Sequence, residues 1–174
     1  MLIAEARSTG STSWSLVGVV ARLVVGGVWI AAGVLKLPDP AENVRAVRAY
    51  QLLPGSLVTP VGQLLPVIEL VVGVMLVIGL LTRGAAVISA VLFVAFIIGI
   101  ASVWARGIEI DCGCFGGGGP KEDAASSYPW EIARDAALLA ASCYLVVVRR
   151  TRFAFDNLLF PSRSVKEADV LEVH

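Results

Sequence analysis

The sequence predicts an all-α integral membrane protein, a bundle of four membrane-spanning helices with a short interfacial amphipathic helix between the first and the second. Hydrophobic residues make up 57% of the 174 residues and charged residues only 16%, so too little polar surface is present to cover a water-soluble globule. Four stretches approach the roughly 20 apolar residues that a helix needs to cross a bilayer. They cover residues 15–35, 61–81, 84–104 and 131–148.

The connections between these stretches are too short to hold a second folded domain, so residues 15–148 are predicted to form a single transmembrane domain. Residues 1–14 are rich in Ser and Thr and show no periodic pattern, and they are predicted to form a cytoplasmic tail. Residues 149–174 are predicted to form a second one. The first apolar stretch is longer than the apolar region of a secretory signal, so it is expected to remain as a membrane helix.

The segment between the first two apolar stretches predicts the interfacial helix. Asp39 can cap a helix that has Pro40 at its first position, directly after the first spanning helix ends. Apolar residues then recur at helical spacing while charged residues face elsewhere, which is typical of a helix lying in the membrane interface. The apolar residues are Val44, Val47 and Tyr50, and the charged ones are Glu42, Arg45 and Arg48.

The distribution of basic residues predicts the orientation. The net charge is zero, and the only compact basic group, Arg149, Arg150 and Arg152, follows the fourth stretch. Such a group favours the cytoplasmic side of a membrane helix and gives no support for nucleic-acid binding. We therefore expect a multi-pass protein of the inner or plasma membrane with both termini in the cytoplasm. The loop of residues 105–130 then lies outside the cytoplasm.

This outer loop contains Cys112 and Cys114, separated by a single glycine. A disulfide across so short a span tends to be strained and therefore easy to reduce, and an extracytoplasmic location favours disulfide chemistry. Three interpretations remain open at this point: a redox-active pair, a structural disulfide, and part of a metal site. The metal interpretation would require ligands beyond the two thiolates, and no nearby histidine supplies them, so no residue is assigned as a metal ligand.

The third cysteine, Cys143, lies in the fourth apolar stretch, on the order of 20 Å below the outer boundary at the helical rise. It is expected to be a small apolar residue in a helix interface. A relay role, in which Cys143 receives electrons from the loop, would require the loop to fold inward.

Two charged residues, Arg22 and Glu69, fall within predicted spans, where an unpaired charge is costly. One interpretation is a buried ion pair that joins the first two spanning helices. The other is a polar site for a quinone or a proton path, in which Glu69 exchanges protons and Arg22 holds the acid ionised or polarises a carbonyl. Lys36, at the outer end of the first helix, is expected to reach up to the lipid headgroups.

Several of these segments together resemble the DoxX-like membrane proteins, and the cysteine loop adds a resemblance to their MauE branch, the methylamine utilisation protein family. The resemblance covers roughly residues 21–148. The segments are Arg22 to Lys36-Leu37-Pro38-Asp39-Pro40, Tyr50-Gln51-Leu52-Leu53-Pro54, Pro66-Val67-Ile68-Glu69-Leu70, Gly73, and Asp111-Cys112-Gly113-Cys114-Phe115-Gly116.

The resemblance implies a four-helix, redox-associated membrane protein. MauE proteins are linked to making or maintaining disulfides in the periplasmic methylamine dehydrogenase small subunit, and wider DoxX relatives to quinone-connected oxidoreductases. Carried over, Cys112 and Cys114 form the redox pair, and Glu69 with Arg22 form the polar core. The Cys-x-x-Cys pair of DsbB-type and vitamin K epoxide reductase enzymes is missing, so their electron route does not transfer.

The sequence therefore leads to two hypotheses. In the first, the protein is a membrane thiol-disulfide redox component: Cys112 and Cys114 exchange disulfides with an extracytoplasmic thioredoxin-fold partner and are coupled to the quinone pool. In the second, it is a non-enzymatic structural or assembly subunit of a membrane redox complex, whose disulfide only pins the outer loop.

Overall fold

The computed structural model describes the backbone of residues 6–114 and 117–147, and the side chains from residue 16 onward. Apart from a short antiparallel ladder and one 3-10 turn, the described elements are α-helices. The helices are α1 (Ala6–Lys36), α2 (Pro40–Ala49), α3 (Gly55–Ile78), α4 (Thr82–Ala105) and α5 (Tyr128–Val147), the strands are β1 (Ile110–Asp111) and β2 (Gly119–Pro120), and the 3-10 turn is Ala124–Ser126. The basic cluster that predicts the orientation lies outside the described residues.

Three of these helices are long and apolar enough to cross a membrane: the segment Leu16–Lys36 of α1, all of α3 and all of α4. The all-helical membrane fold predicted from composition is confirmed to that extent. The fourth predicted span corresponds to α5, whose first turns carry Glu131, Arg134 and Asp135. These charges lower its apolar character, and α5 is not among the three candidate spans.

The spanning helices expose apolar side chains outward and share a core with α5. α1 packs along α3 and α5, and α4 packs along α5 and α3. Trp29 lies at the centre of the core, with its ring 4.5 Å from that of Phe93. Its indole N–H donates a hydrogen bond to Ser89 Oγ at 2.7 Å, and Ser89 Oγ lies 2.9 Å from Ser142 Oγ. This internal pairing satisfies the polar groups of three helices away from water.

Small residues let α1 and α3 approach closely. A Cβ atom placed on Gly26 would lie 2.9 Å from the Gly73 carbonyl oxygen, and one placed on Gly33 would lie 2.8 Å from the Pro66 carbonyl oxygen. Any larger side chain at Gly26 or Gly33 would push the two backbones apart. The contact fixes the relative height of α1 and α3, and therefore the height of the charged residues they carry.

The predicted short helix is present as α2. The Asp39 carboxylate accepts a hydrogen bond from the Glu42 backbone N–H at 2.8 Å, and Pro40 occupies the first position, as predicted. α2 lies across α3, where a Cβ atom on Gly62 would come within 2.7 Å of Val44 Cα. It also contacts β2, so α2 and the cysteine loop lie at the same end of the long helices. α2 therefore lies between the cysteine loop and the ends of the membrane-spanning helices.

Candidate functional site

The cysteine loop is held by hydrogen bonds on both sides of the pair. β1 and β2 align antiparallel, with Asp111 opposite Gly119. The Tyr128 hydroxyl, at the start of α5, accepts a hydrogen bond from the Ile110 N–H at 2.9 Å and donates to the Ile108 carbonyl at 2.9 Å. Because Tyr128 is 1% exposed, this anchor is shielded from competing water. It fixes the chain immediately before Cys112.

The two cysteines form a tight turn in which both are present as thiols. The Cys114 backbone N–H donates to Cys112 Sγ at 3.4 Å. Gly113 has φ of +64°, a left-handed conformation that favours glycine, and its N–H donates to the Asp111 carboxylate at 3.1 Å. Cys114 is 7% exposed, while Cys112 is only partly buried. Cys112 is therefore the sulfur that an approaching molecule reaches first.

Hydrogen bonding makes the two thiols unequal. The pKa of Cys112 is lowered, because the Cys114 thiol and then its backbone N–H donate hydrogen bonds to the Cys112 sulfur. The pKa of Cys114 is raised, first by its role as the donor in that hydrogen bond and then by burial. Since the thiolate is the nucleophile in disulfide exchange, Cys112 is the more reactive member of the pair. The Asp111 carboxylate, next to Cys112 in the chain, pairs with Lys121 at 3.3 Å.

Three charged residues at the start of α5 surround the cysteine pair. Glu131 hydrogen-bonds to Cys112 and Arg134 to Cys114. Arg134 also pairs with Asp135 at 2.9 Å, and Asp135 is 2% exposed. A guanidinium beside Cys114 stabilises negative charge on that sulfur when it leaves a disulfide. The site is therefore built from the loop and the first turns of α5 together.

This asymmetry predicts the pH dependence of thiol alkylation. In a Cys143→Ser background, iodoacetamide labelling of Cys112 followed by mass spectrometry should show a midpoint below about 8.5, the ordinary value for a cysteine. Replacing Cys114 by Ala should raise that midpoint, because the strongest hydrogen-bond donor to the Cys112 sulfur is lost. An unchanged midpoint in the Cys114→Ala variant would contradict the hydrogen-bonded arrangement.

The loop is also fixed to α2. The Tyr50 hydroxyl donates to the Cys112 carbonyl at 2.8 Å, and burial, followed by the nearby Cys114 and Cys112, raises the pKa of Tyr50, which keeps the phenol protonated as a donor. Gly118 packs directly on Ala46, where an added Cβ would come within 2.3 Å of the Ala46 Cβ. The absence of a side chain at Gly118 therefore allows a close contact between the loop and α2.

The structure corrects the predicted partner of Glu69. Lys36 Nζ lies 2.6 Å from Glu69 Oε1, and both side chains are almost fully buried. Arg22, the predicted partner, is also buried at 3% exposed but lies about 21 Å from Lys36 along α1 at 1.5 Å per residue. That separation is too long for the Arg22 side chain to contact the Lys36–Glu69 ion pair. Glu69 and Arg22 are therefore not brought together in one polar core.

The predicted position of Lys36 among the headgroups is also wrong. Lys36 is 5% exposed, because α2 folds over the end of α1, where the Asn43 side-chain amide donates to the Lys36 carbonyl at 2.7 Å. The Lys36 ammonium faces the ring of Phe96 at 5.5 Å and is near enough to Asp135 to interact with it electrostatically. The buried Lys36 ammonium therefore lies between Glu69 and Asp135, one of the charged residues around the cysteine pair.

A cavity of about 370 Å³ lies beneath α2, between α3 and α4. Cys112 and Gly113 border it on one side, and Lys36 borders it as well. Most of the wall is apolar and is supplied by the three helices; it includes Val47, Val61, Leu65, Leu92 and Phe96. A volume of this size is typical of sites for small molecules, which run from about 300 to 1,000 Å³. The cavity therefore extends from the cysteine loop to Lys36.

Cys143 lies on the exposed face of α5, not in a helix interface as expected. Helical periodicity alone could not distinguish the outward face of α5 from its packed face, because both are apolar. Within the described residues, no group of three or more His, Cys, Asp and Glu side chains could hold a metal ion.

Five residues contribute to the site and are not among the site residues predicted from the sequence: Lys36, Tyr50, Glu131, Arg134 and Asp135. Glu131, Arg134 and Asp135 are spaced three and four positions apart, which places them near one face of a helix. Charged residues on one face in the first turns of an otherwise apolar helix are a signal that could have identified them. Nothing in the sequence places Lys36 beside the same face, because that contact depends on the packing of α1 against α5.

The fold and the site define a small helical membrane protein that carries a pair of unequal thiols above an apolar cavity. The chain belongs to the MauE family: the family model described as methylamine utilisation protein MauE matches residues 14–148. The resemblance seen in the sequence motifs is thereby confirmed.

Two curated relatives carry the same description. The chain is 41% identical over 99 residues to methylamine utilization protein MauE of Methylophilus methylotrophus, a match that covers 56% of this chain and 52% of the relative. It is 37% identical over 98 residues to methylamine utilization protein MauE of Paracoccus denitrificans, covering 56% and 53%. The chain thus spans about half the length of the curated relatives it matches. No solved structure matches it.

Proposed function

We propose that this protein is a membrane thiol-disulfide redox protein. Cys112 and Cys114 exchange disulfides with an extracytoplasmic thioredoxin-fold partner, and the electrons pass to the membrane quinone pool. The observation that carries the proposal is the unequal pair itself: Cys114 donates hydrogen bonds to the sulfur of a more accessible Cys112. A pair that served only as a staple would have no need of one thiol activated by the other.

The chain's own residues suit an exchange of this kind. When the pair is oxidised, a thiolate of the partner attacks Cys112 Sγ, the S–S bond breaks, and Cys114 leaves as a thiolate beside Arg134. The partner's second thiol then attacks its own half of the mixed disulfide and releases Cys112. The partner gains one disulfide, and Cys112 and Cys114 gain the electron pair and the protons of the two partner thiols.

The proposal includes an orientation in which the cysteine loop faces the outside of an inner or plasma membrane and both termini face the cytoplasm. It requires α5 to cross the membrane as a fourth span, which completes a four-helix transmembrane bundle. The basic cluster that follows α5 in the sequence supports this orientation. The common end shared by α2 and the cysteine loop agrees with it, because both connections then lie on one side of the membrane.

A single-turnover exchange tests the proposal and its orientation together. The protein is oxidised in right-side-out membrane vesicles, and a reduced thioredoxin-fold protein with a Cys-x-x-Cys pair is added outside. Wild-type protein should gain two thiols as the probe gains one disulfide, measured by thiol trapping on gels. The Cys112→Ser and Cys114→Ser variants should lose this exchange completely, whereas the control Cys143→Ser should retain it, because Cys143 lies on the outward face of α5.

The structural alternative predicts a different result. If the Cys112→Ser and Cys114→Ser variants still oxidise the partner protein in cells and lose only thermal stability, the disulfide is purely structural and the redox proposal is wrong. Exchange that occurs only in inverted vesicles would contradict the orientation.

A further inference from the structure

We infer that the cavity beneath α2 is the binding site for a quinone head group, with the Lys36 ammonium as the hydrogen-bond donor to a quinone oxygen. The inference rests on the proposed function and assigns to it a site that the sequence motifs do not reveal. It replaces the predicted pairing of Arg22 with Glu69 by a different set of residues, Lys36 on one wall and Cys112 on another.

The cavity has the composition that a ring with two carbonyl groups requires. Its wall combines the aromatic ring of Phe96 with the aliphatic side chains of Val61, Leu65 and Leu92, which suit a flat, largely apolar ring. It lies between two helices that are able to cross the membrane, α3 and α4, so a lipid-soluble molecule meets it within the bilayer. Ala95, at its edge, is exposed toward the lipid.

Lys36 supplies the polar contact. An ammonium has three N–H donors, and the contacts described for Lys36 Nζ are one hydrogen bond to Glu69 and the face of Phe96. Donors therefore remain for an oxygen atom in the cavity. Asn43 also lines the cavity and holds the Lys36 backbone in place. A polar donor at one point of an apolar cavity fixes the orientation of a ligand.

Because Cys112 borders the cavity, a quinone bound there is placed to accept electrons from the thiol pair. Oxidation of the two thiols forms one S–S bond and releases two electrons and two protons, and a quinone accepts both at its two oxygens to become a hydroquinone. The third free cysteine, Cys143, is exposed on α5 and does not line the cavity. The cavity borders Cys112, so an acceptor bound there lies beside the cysteine pair.

A bulky side chain in the cavity tests the site without altering the cysteines. Leu65 lines the cavity, whereas its neighbour Leu64 is 57% exposed on the outer face of α3. The Leu65→Trp variant should bind decylubiquinone about tenfold more weakly, because overpacking of a filled site costs this much. The matched Leu64→Trp variant should bind like the wild type. Binding is measured as protection against photolabelling by an azido analogue, with the labelled peptides identified by mass spectrometry.

A second variant tests the donor independently. Replacing both members of the ion pair, Lys36→Met with Glu69→Met, removes the donor without leaving a buried charge. Binding should weaken roughly three- to tenfold, as expected for the loss of one hydrogen bond. Photolabels should map to α2, α3 and α4 in the wild type.

Wild-type affinity in both Leu65→Trp and the double variant, or labels confined to α1 and α5, would overturn the site. The single-turnover thiol exchange with the thioredoxin-fold probe needs no quinone, so wild-type exchange tests the proposed function separately from quinone binding. Loss of exchange in the wild type together with intact quinone binding would instead reject the proposed function and leave the site standing.

Discussion

Replacement of Lys36 by Met is expected to destabilise the folded protein by about 3 to 5 kcal/mol, the cost of breaking a buried ion pair by removing one partner. Glu69 is fully buried, and Lys36 is its ion-pair partner. Its second oxygen, Oε2, already has no hydrogen-bond partner among the described residues. Without the ammonium, both oxygens of a buried carboxylate would lack a donor.

The double variant separates the ion pair from the packing around it. Lys36→Met combined with Glu69→Met should recover most of the lost stability, because two apolar side chains of similar volume leave no charge unpaired. The Leu35→Met variant is the matched control, since Leu35 is 55% exposed at the neighbouring position. Unfolding is followed by circular dichroism in detergent as sodium dodecyl sulfate is added. A double variant as unstable as the single one would show that the pair is not the source of the loss.

The sequence predicts the elements that depend on local composition. The three candidate spans and α2 follow from apolar length, from Asp39 as a cap and from Pro40 at the first helical position. α5 is harder to recognise in the sequence as a membrane span, because its charged residues reduce its apolar character. The same charged residues form part of the site. A functional helix that carries charges into a bundle breaks the pattern by which spans are recognised.

The candidate site was predictable only in part. The spacing of Cys112 and Cys114 identifies a thiol pair, but the order of their reactivity depends on the turn at Gly113 and on Arg134, which comes from another element. Which residue pairs with Glu69 depends on where α1 ends and on α2, the helix that covers that end of α1. In the sequence Arg22 is the basic residue within the first apolar stretch, whereas Lys36 stands at its end and is buried only by the fold.

Replacement of Gly26 by Leu is expected to separate α1 from α3 and to cost about 3 kcal/mol, the upper part of the range for overpacking. An added Cβ would meet the Gly73 carbonyl oxygen at 2.9 Å, and a backbone atom cannot rotate away as the end of a side chain can. The same separation would shift Lys36 relative to Glu69, because those residues lie further along the same two helices.

Gly27 provides the matched control for this prediction, since an added Cβ there meets nothing within 4 Å. Both positions lie in α1 and both gain the helix propensity of Leu over Gly, so the difference between Gly26→Leu and Gly27→Leu isolates the contact with α3. The measurement is the same detergent unfolding, with Gly27→Leu expected at or above wild-type stability. Equal stability of the two variants would mean that the close approach of α1 and α3 does not hold the bundle together. In that case the ion pair would have to fix the height of α1 against α3 by itself.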